Sequence, residues 1–262
     1  MPIEILRDKQ RILNYCRQDY YLHLYSIGDL DDFFWPYTTW YALEDREITQ
    51  ALILLYTGME LPTVLALTSN LQPMKTLLSE LLPVLPDKFY THLSPGLIQV
   101  FNSQFNMESY GQHLKMVLTE LELIATCDTG RSTQLTTANL EEIQSLYKSA
   151  YPGNWFDQRM LESGQYFGYF EDDHLVSIAG IHVYSPAYNA AALGNITTHP
   201  DYRGGGLATR VTAACCQSLL KDITRIGLNI KADNLAGLTL YAKLGFTEYA
   251  PYGEFMLHRK SN

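Results

Sequence analysis

Ile196-Thr197-Thr198-His199-Pro200-Asp201-Tyr202-Arg203-Gly204-Gly205-Gly206-Leu207-Ala208-Thr209 decides the fold of the second half of the chain, because it reads as strand, glycine turn and helix start. Upstream, Ala191 to Thr198 is apolar and β-branched, and Pro200 halts a ladder while holding His199 extended. Downstream, Leu207, Val211, Ala214, Cys215, Ser218 and Leu219 recur at three- and four-residue steps, the pattern of an amphipathic helix. The glycines stand at that helix's N-terminus. Backbone NH groups there lack intrahelical partners, and the helix dipole contributes roughly +0.5 of a charge, so an anionic phosphate finds donors and field together. Glycine lets phosphate oxygens come close to the backbone. The stretch lacks the Lys-Ser/Thr ending of a P-loop and the third glycine of a dinucleotide fingerprint, so it favours a pyrophosphate other than a nucleoside triphosphate or NAD.

Arg203, Gly206 and Ala208 meet the Arg/Gln-x-x-Gly-x-Gly/Ala signature, and the stretch resembles motif A of the GNAT superfamily of N-acetyltransferases. A second stretch, Asp233-Asn234-Leu235-Ala236-Gly237-Leu238-Thr239-Leu240-Tyr241-Ala242-Lys243-Leu244-Gly245-Phe246, is similar to the helix that closes the cofactor cleft in that family. Its local chemistry agrees, with Asn234 a good N-cap and Gly245 a good C-terminal stop. Tyr241, seven residues beyond Asn234, shares a helix face with it. The resemblance covers about residues 131 to 262.

The resemblance implies acetyl-CoA, or another acyl-CoA, as co-substrate, no metal, and a small-molecule or peptide amine as acceptor. It implies that the backbone around Ile196, Thr197 and Thr198 aligns the pantetheine arm, that Arg203, Gly204, Gly205, Gly206, Leu207, Ala208 and Thr209 hold the diphosphate, and that Asn234 borders the cofactor. Tyr241 then protonates the leaving sulfur. An alkylamine with a pKa near 10.4 is only about one part in a thousand neutral at pH 7, so a base or water chain must take its proton. Many relatives place a carboxylate on the strand leading into motif A, whereas Ala190 to Thr198 contains no Asp or Glu. His182, His199 and Glu254 remain open as bases. The same glycine turn also serves an alternative, a non-catalytic acyl-CoA-binding sensor or regulatory module.

Other runs fit an α/β fold with a mixed, mostly antiparallel twisted sheet flanked by helices. Asn139 to Ala150 reads as a helix, Tyr166 to Phe170 and Leu175 to Tyr184 as a hairpin turned by Glu171-Asp172-Asp173-His174, and Phe255 to Arg259 as a final strand. Asp172 and Asp173 make the turn; no His or Cys stands at ligand spacing to make a metal site of them.

The length of 262 residues and an apolar content of 47% suit two cores. Residues 1–125 read as a helix at Arg7 to Gln18, strands at Tyr21 to Ile27, Trp35 to Leu43, Gln50 to Thr57 and Thr63 to Leu67, and a helix at Pro73 to Leu82. A strand at Phe89 to Leu93, a short helix near Pro95 to Phe101 and a strand at His113 to Thr119 complete that half. The order echoes residues 131–262, so two tandem GNAT-like domains are expected, the first degenerate as in glycine N-acyltransferase-like proteins, with the boundary at Thr126 to Gly130. Where motif A would follow Thr63 to Leu67, the chain reads Thr68-Ser69-Asn70-Leu71-Gln72-Pro73, without arginine or glycines.

The balance of 28 acidic against 19 basic residues, a net charge of −9, speaks against nucleic acid as a partner and slightly for a cationic amine. The aromatic run Phe33-Phe34-Trp35-Pro36-Tyr37 is expected to pack rather than stack on bases. Cys16, Cys127, Cys215 and Cys216 show no zinc spacing or disulfide framework, and the start of the chain has no signal-peptide pattern. No membrane association is expected, and a cytoplasmic location is the expectation. Oligomeric state is left open.

Overall fold

The computed structural model describes residues 3–260. In chain order its elements are β1 (Ile3–Leu6), α1 (Lys9–Cys16), α2 (Leu24–Gly28), β2 (Thr38–Asp45), β3 (Ile48–Tyr56), β4 (Thr63–Ala66), α3 (Leu71–Leu81), β5 (Lys88–Leu93) and β6 (Phe105–Leu118). There follow α4 (Leu121–Ala125), β7 (Thr133–Gln134), α5 (Leu140–Ala150), β8 (Phe167–Glu171), β9 (His174–Ser185), β10 (Ala190–Thr198), α6 (Leu207–Leu219), β11 (Arg225–Lys231), α7 (Leu235–Lys243) and β12 (Phe246–Arg259). Sheet and helices together make the mixed α/β, open-sheet architecture anticipated above.

By compactness the chain divides into two units. The first holds the residues up to Lys115, Lys231–Asp233 and the chain from Tyr249 onward; the second holds Met116–Ile230 and Asn234–Glu248. Compact unit and sequence segment are therefore not coextensive: most of β12 groups with the N-terminal elements, against whose β5 it pairs from Gly253↔Leu93 to His258↔Lys88.

In the first unit the strand order is β1-β2-β3-β4-β5-β12-β6, and the pairs from β1 to β12 are antiparallel except for β4 beside β5. The helix between those two strands, α3, buries Met74, Leu77, Leu78 and Leu81 against Ile53, Val64, Phe89 and Leu257. The expected strand at Tyr21 to Ile27 is instead a turn leading into α2. Asp19 Oδ1 accepts from Leu22 N, and Leu24 and Ile27 bury together at three-residue spacing, so the apolar residues serve one helical face rather than a strand. The strand expected at His113 to Thr119 starts at Phe105, because Asn106–Tyr110 is an exposed polar and aromatic stretch with no apolar alternation to announce it.

In the second unit the order is β11-β10-β9-β8-β7, with β10–β11 parallel and the remaining pairs antiparallel. The β8–β9 hairpin turns through Asp172 and Asp173, both at positive φ (46° and 63°), the geometry that a two-residue hairpin loop requires. A capping box between Thr136 and Asn139 opens the turn before α5. Helix α6 lies on β8, β9 and β10, burying Leu207, Val211, Cys215 and Leu219.

Candidate active site

The β10–α6 junction is built from three local features. First, β10 parts from its parallel neighbour: pairing with β11 runs from Ala190↔Arg225 to Leu193↔Leu228, while β10 continues to Thr198. Second, the β9 register shifts between Gly194 and Thr197, which face Gly180 and Ile178, so three steps along β10 match two along β9. This bulge carries Asn195 at φ +56°, a left-handed conformation that costs a non-glycine residue on the order of 1–2 kcal/mol. Third, Gly204 and Gly206 take φ +82° and +79°. Space around both is open, so backbone conformation, not crowding, demands glycine there.

Gly206 is the N-cap of α6, and no side chain caps the helix. The first-turn amides of Leu207, Ala208 and Thr209 stand at the exposed glycine turn with the positive end of a 13-residue helix behind them. Arg203 Nε donates to Thr198 O at 3.1 Å, tying the turn back to the end of β10. The Thr198 hydroxyl lies 2.8 Å from Ser177 Oγ, so its side chain is engaged across the β9–β10 ladder. Ile196 and Thr197 are half-buried at the parted strand end. The residues fit a diphosphate-bearing carrier: uncapped amides, left-handed glycines and unfilled space coincide.

Asn234 begins α7 as expected, its Oδ1 accepting from Gly237 N at 3.0 Å. The side chain is thereby engaged in capping, and what it offers a ligand is the position of the helix start. Tyr241, half-buried on α7, packs edge-on to Phe246 with ring centroids 5.8 Å apart. Burial pushes its phenol well up, reinforced by Cys216 of α6 and Tyr151 after α5, so Tyr241 keeps its proton at neutral pH.

The three open bases fall in different surroundings. His199 lies in the turn, its Nδ1 accepting from Asp201 N at 3.4 Å and 3.8 Å from the Asp201 carboxylate. His182 on β9 reaches the bulge, its Nε2 3.2 Å from Asn195 Oδ1. Glu254 belongs to the first unit, in a polar cluster on β5, β12 and β6: Tyr252 Oη donates to it at 2.6 Å, Tyr90 Oη also donates, and His92 and His113 stand 3.4 and 3.3 Å away. Burial pushes the Glu254 carboxyl up, but the two imidazoles and two hydroxyls together outweigh it and hold it below its ordinary value. Burial lowers neighbouring Lys115 to about 7 against the opposing pull of Glu254 and Asp19.

Asn195 is the residue sequence reading missed. Its carbonyl accepts from Tyr147 Oη at 2.8 Å, its Nδ2 donates to Tyr166 Oη at 3.0 Å, and its Oδ1 faces His182. Gly194-Asn195 inside an apolar strand was the available signal for a bulge. Tyr147 also lines a cleft of about 350 Å³ with Gln144, Lys148, Pro152, Asn154 and Phe156. Among the described residues there is no group of three His, Cys, Asp or Glu placed to hold a metal ion, and no helix long and apolar enough to cross a membrane.

Comparison with known proteins agrees with this geometry. The acetyltransferase (GNAT) family model matches residues 133–246. A UPF0039 protein of Synechocystis, sll0451, is 33% identical over 95 residues, which are 36% of this chain; the chain spans 60% of the length of that curated relative. A Drosophila protein of known crystal structure superposes with a TM-score of 0.74 over 98% of both chains at 12% identity. A tandem GNAT protein from the clavulanic acid biosynthesis pathway does so with 0.58 over the full length of both at 12% identity. These two likenesses speak for the fold. The stretch that matches the acetyltransferase (GNAT) family model takes in the glycine turn and Tyr241.

Proposed function

We propose that this chain is an acyl-CoA-dependent N-acyltransferase, acetyl-CoA being the donor and a primary amine the acceptor. The observation that carries the reading is the uncapped start of α6 behind left-handed Gly204 and Gly206, at the end of a strand that has parted from its neighbour. Leu207, Ala208 and Thr209 amides would hold the diphosphate, with Arg203 fixing the turn. Backbone at Ile196, Thr197 and Thr198 would line the acyl-bearing arm. When bound, the co-substrate supplies an acyl group activated as a thioester. Tyr241, kept protonated by burial, supplies the proton for the departing sulfur.

Residues 131–262 are read as the catalytic segment and residues 1–125 as a degenerate copy that serves as scaffold or substrate wall. The retained Tyr241 favours an enzyme over an acyl-CoA sensor, since a sensor needs no proton donor at the sulfur. Titration calorimetry with acetyl-CoA, followed by coenzyme A release across a panel of primary amines, tests both halves of the reading. Binding with turnover on at least one amine is expected; binding without turnover on any supports the sensor, and absence of binding removes the proposal.

A further inference from the structure

The second unit carries a cleft of about 350 Å³ that the reaction as read above leaves unused. Its volume falls within the range of about 300–1,000 Å³ typical of small-molecule sites. Two walls form it. One is the face of α5 that carries Gln144, Tyr147 and Lys148, which stand three and four residues from Gln144 and are therefore its neighbours on the helix surface. The other is the chain beyond that helix, with Pro152, Asn154 and Phe156.

The apolar side of the cleft is fixed in place. Phe156 packs on Tyr147 with ring centroids 5.2 Å apart and on Tyr166 at 5.6 Å. Tyr147 Oη donates to Asn195 O at 2.8 Å, which ties this wall to the bulge of β10. Asn154 holds the second wall: its Nδ2 donates to Tyr151 O at 2.6 Å and its Oδ1 accepts from Phe156 N at 2.9 Å, while Tyr151 N donates to Tyr147 O at 2.8 Å. An aromatic floor that is already ordered takes up an apolar group without the cost of arranging its own side chains.

The polar side differs. The Tyr147 hydroxyl and the Asn154 amide are engaged within the protein, whereas the exposed side chains of Gln144 and Lys148 make no hydrogen bond or ion pair among the described residues. Lys148 is the one charged residue among those that line the cleft, and an ammonium only donates. The net charge of −9 over the whole chain favours cations in general, but inside this cleft the field of Lys148 repels them and favours an anion. Gln144, one turn before Lys148, can offer its amide N–H to the same anionic group.

We infer that the cleft binds a small molecule in which a carboxylate is joined to an aromatic or branched apolar group, the carboxylate at Gln144 and Lys148 and the apolar group against Tyr147, Pro152 and Phe156. The inference stands apart from the acyltransferase reading, which concerns the glycine turn and Tyr241. Two sources share this chemistry, an amino-acid acceptor and a separate regulatory acid.

The test titrates full-length ¹⁵N-labelled protein with 3-phenylpropionate and, in parallel, with 3-phenylpropanol, which keeps the ring and lacks the charge. Saturable shifts at the backbone amides of Lys148 and Phe156 are expected with the acid, at about tenfold higher affinity than with the alcohol. Lys148→Glu should bring the acid down to the affinity of the alcohol, and Lys148→Arg should keep it within about threefold of wild type. Equal affinity for the two probes, no shift at those amides, or undiminished binding of the acid by Lys148→Glu overturns the inference. Coenzyme A release with phenylalanine against phenethylamine then separates the sources. A wild-type preference for phenylalanine that Lys148→Glu abolishes assigns the site to the acceptor; binding of the acid without such a preference assigns it to a regulator, and the cleft remains a carboxylate site in both cases. If the protein does not bind acetyl-CoA, the acyltransferase reading falls and the titration alone decides this one.

Discussion

The two units each contain a strand, a turn, a helix and a parallel strand, and they finish that turn in opposite ways. In the first unit β4 pairs with β5 along its whole length, from Thr63↔Tyr90 to Ala66↔Leu93, and the chain stays fastened afterwards: Ser94 N donates to Ala66 O, and Ser94 Oγ accepts from Thr68 N. The Thr68 hydroxyl then accepts from Asn70 N, and Pro73 removes an amide from the first turn of α3. In the second unit the pairing of β10 with β11 stops at Leu193, a bulge follows, and the glycine turn leaves the first amides of α6 uncapped. One architecture therefore carries one junction tied back through Ser94 and Thr68 and another that starts its helix behind left-handed glycines, although neither helix has a side-chain cap.

The contrast is sharpest at Tyr241. Tyr241→Phe removes one oxygen and leaves the Phe246 contact in place, so turnover should fall by roughly 10² to 10⁴ while acetyl-CoA affinity moves little. Steady-state rates beside calorimetry on the same variant check this, and unchanged turnover would strip the second unit of its assigned proton donor.

A second contrast is acid sensitivity in the first unit. Burial lowers His23 from its ordinary 6.5 to about 4, with Asp19 opposing and Lys115 assisting. The unfolded chain thus takes up this proton first, so the stability from a neutral His23 is present above about pH 6.5 and is lost as pH falls towards 4, by up to a few kcal/mol. Hydrogen exchange at pH 7 and pH 5 should show α1 and α2 losing protection in the wild type and less so in His23→Phe. An identical pH response in the two proteins would break the assignment.

The smallest expected effect lies at the cap of α7. Asn234→Ala deletes the bond to Gly237 N and should cost about 0.5–2 kcal/mol in stability. A denaturant titration reads this directly, and acetyl-CoA affinity reports whether Asn234 does more than cap.

What could be read from sequence followed the physical strength of each signal. Motif A and the Asn234 to Gly245 helix were legible because left-handed turns and caps demand particular residues, and Gly204, Gly206, Gly245 and Asn234 occupy those conformations. The Asp172-Asp173 hairpin was legible for the same reason. Tyr21 to Ile27 misled because aromatic and β-branched residues suit a strand, whereas Asp19 and burial at helical spacing decided the local structure. Asn195 escaped because its role comes from Tyr147, Tyr166 and His182, which lie 13 to 48 positions away in sequence. No local pattern encodes such a meeting. Glu254 was visible as a carboxylate, but apart from Tyr252 two residues away its partners Tyr90, His92 and His113 come from two strands distant in sequence.

The central claim is that the junction behind the left-handed glycines grips a diphosphate and the one tied back through Ser94 and Thr68 does not. Calorimetry with acetyl-CoA on wild type, Gly206→Val and Asn70→Val tests it most directly. Valine at φ +79° is strained and crowds the α6 amides, so at least a tenfold loss of affinity is expected for Gly206→Val, and none beyond about twofold for Asn70→Val, whose φ of −110° suits valine. Undiminished binding by Gly206→Val would contradict the account.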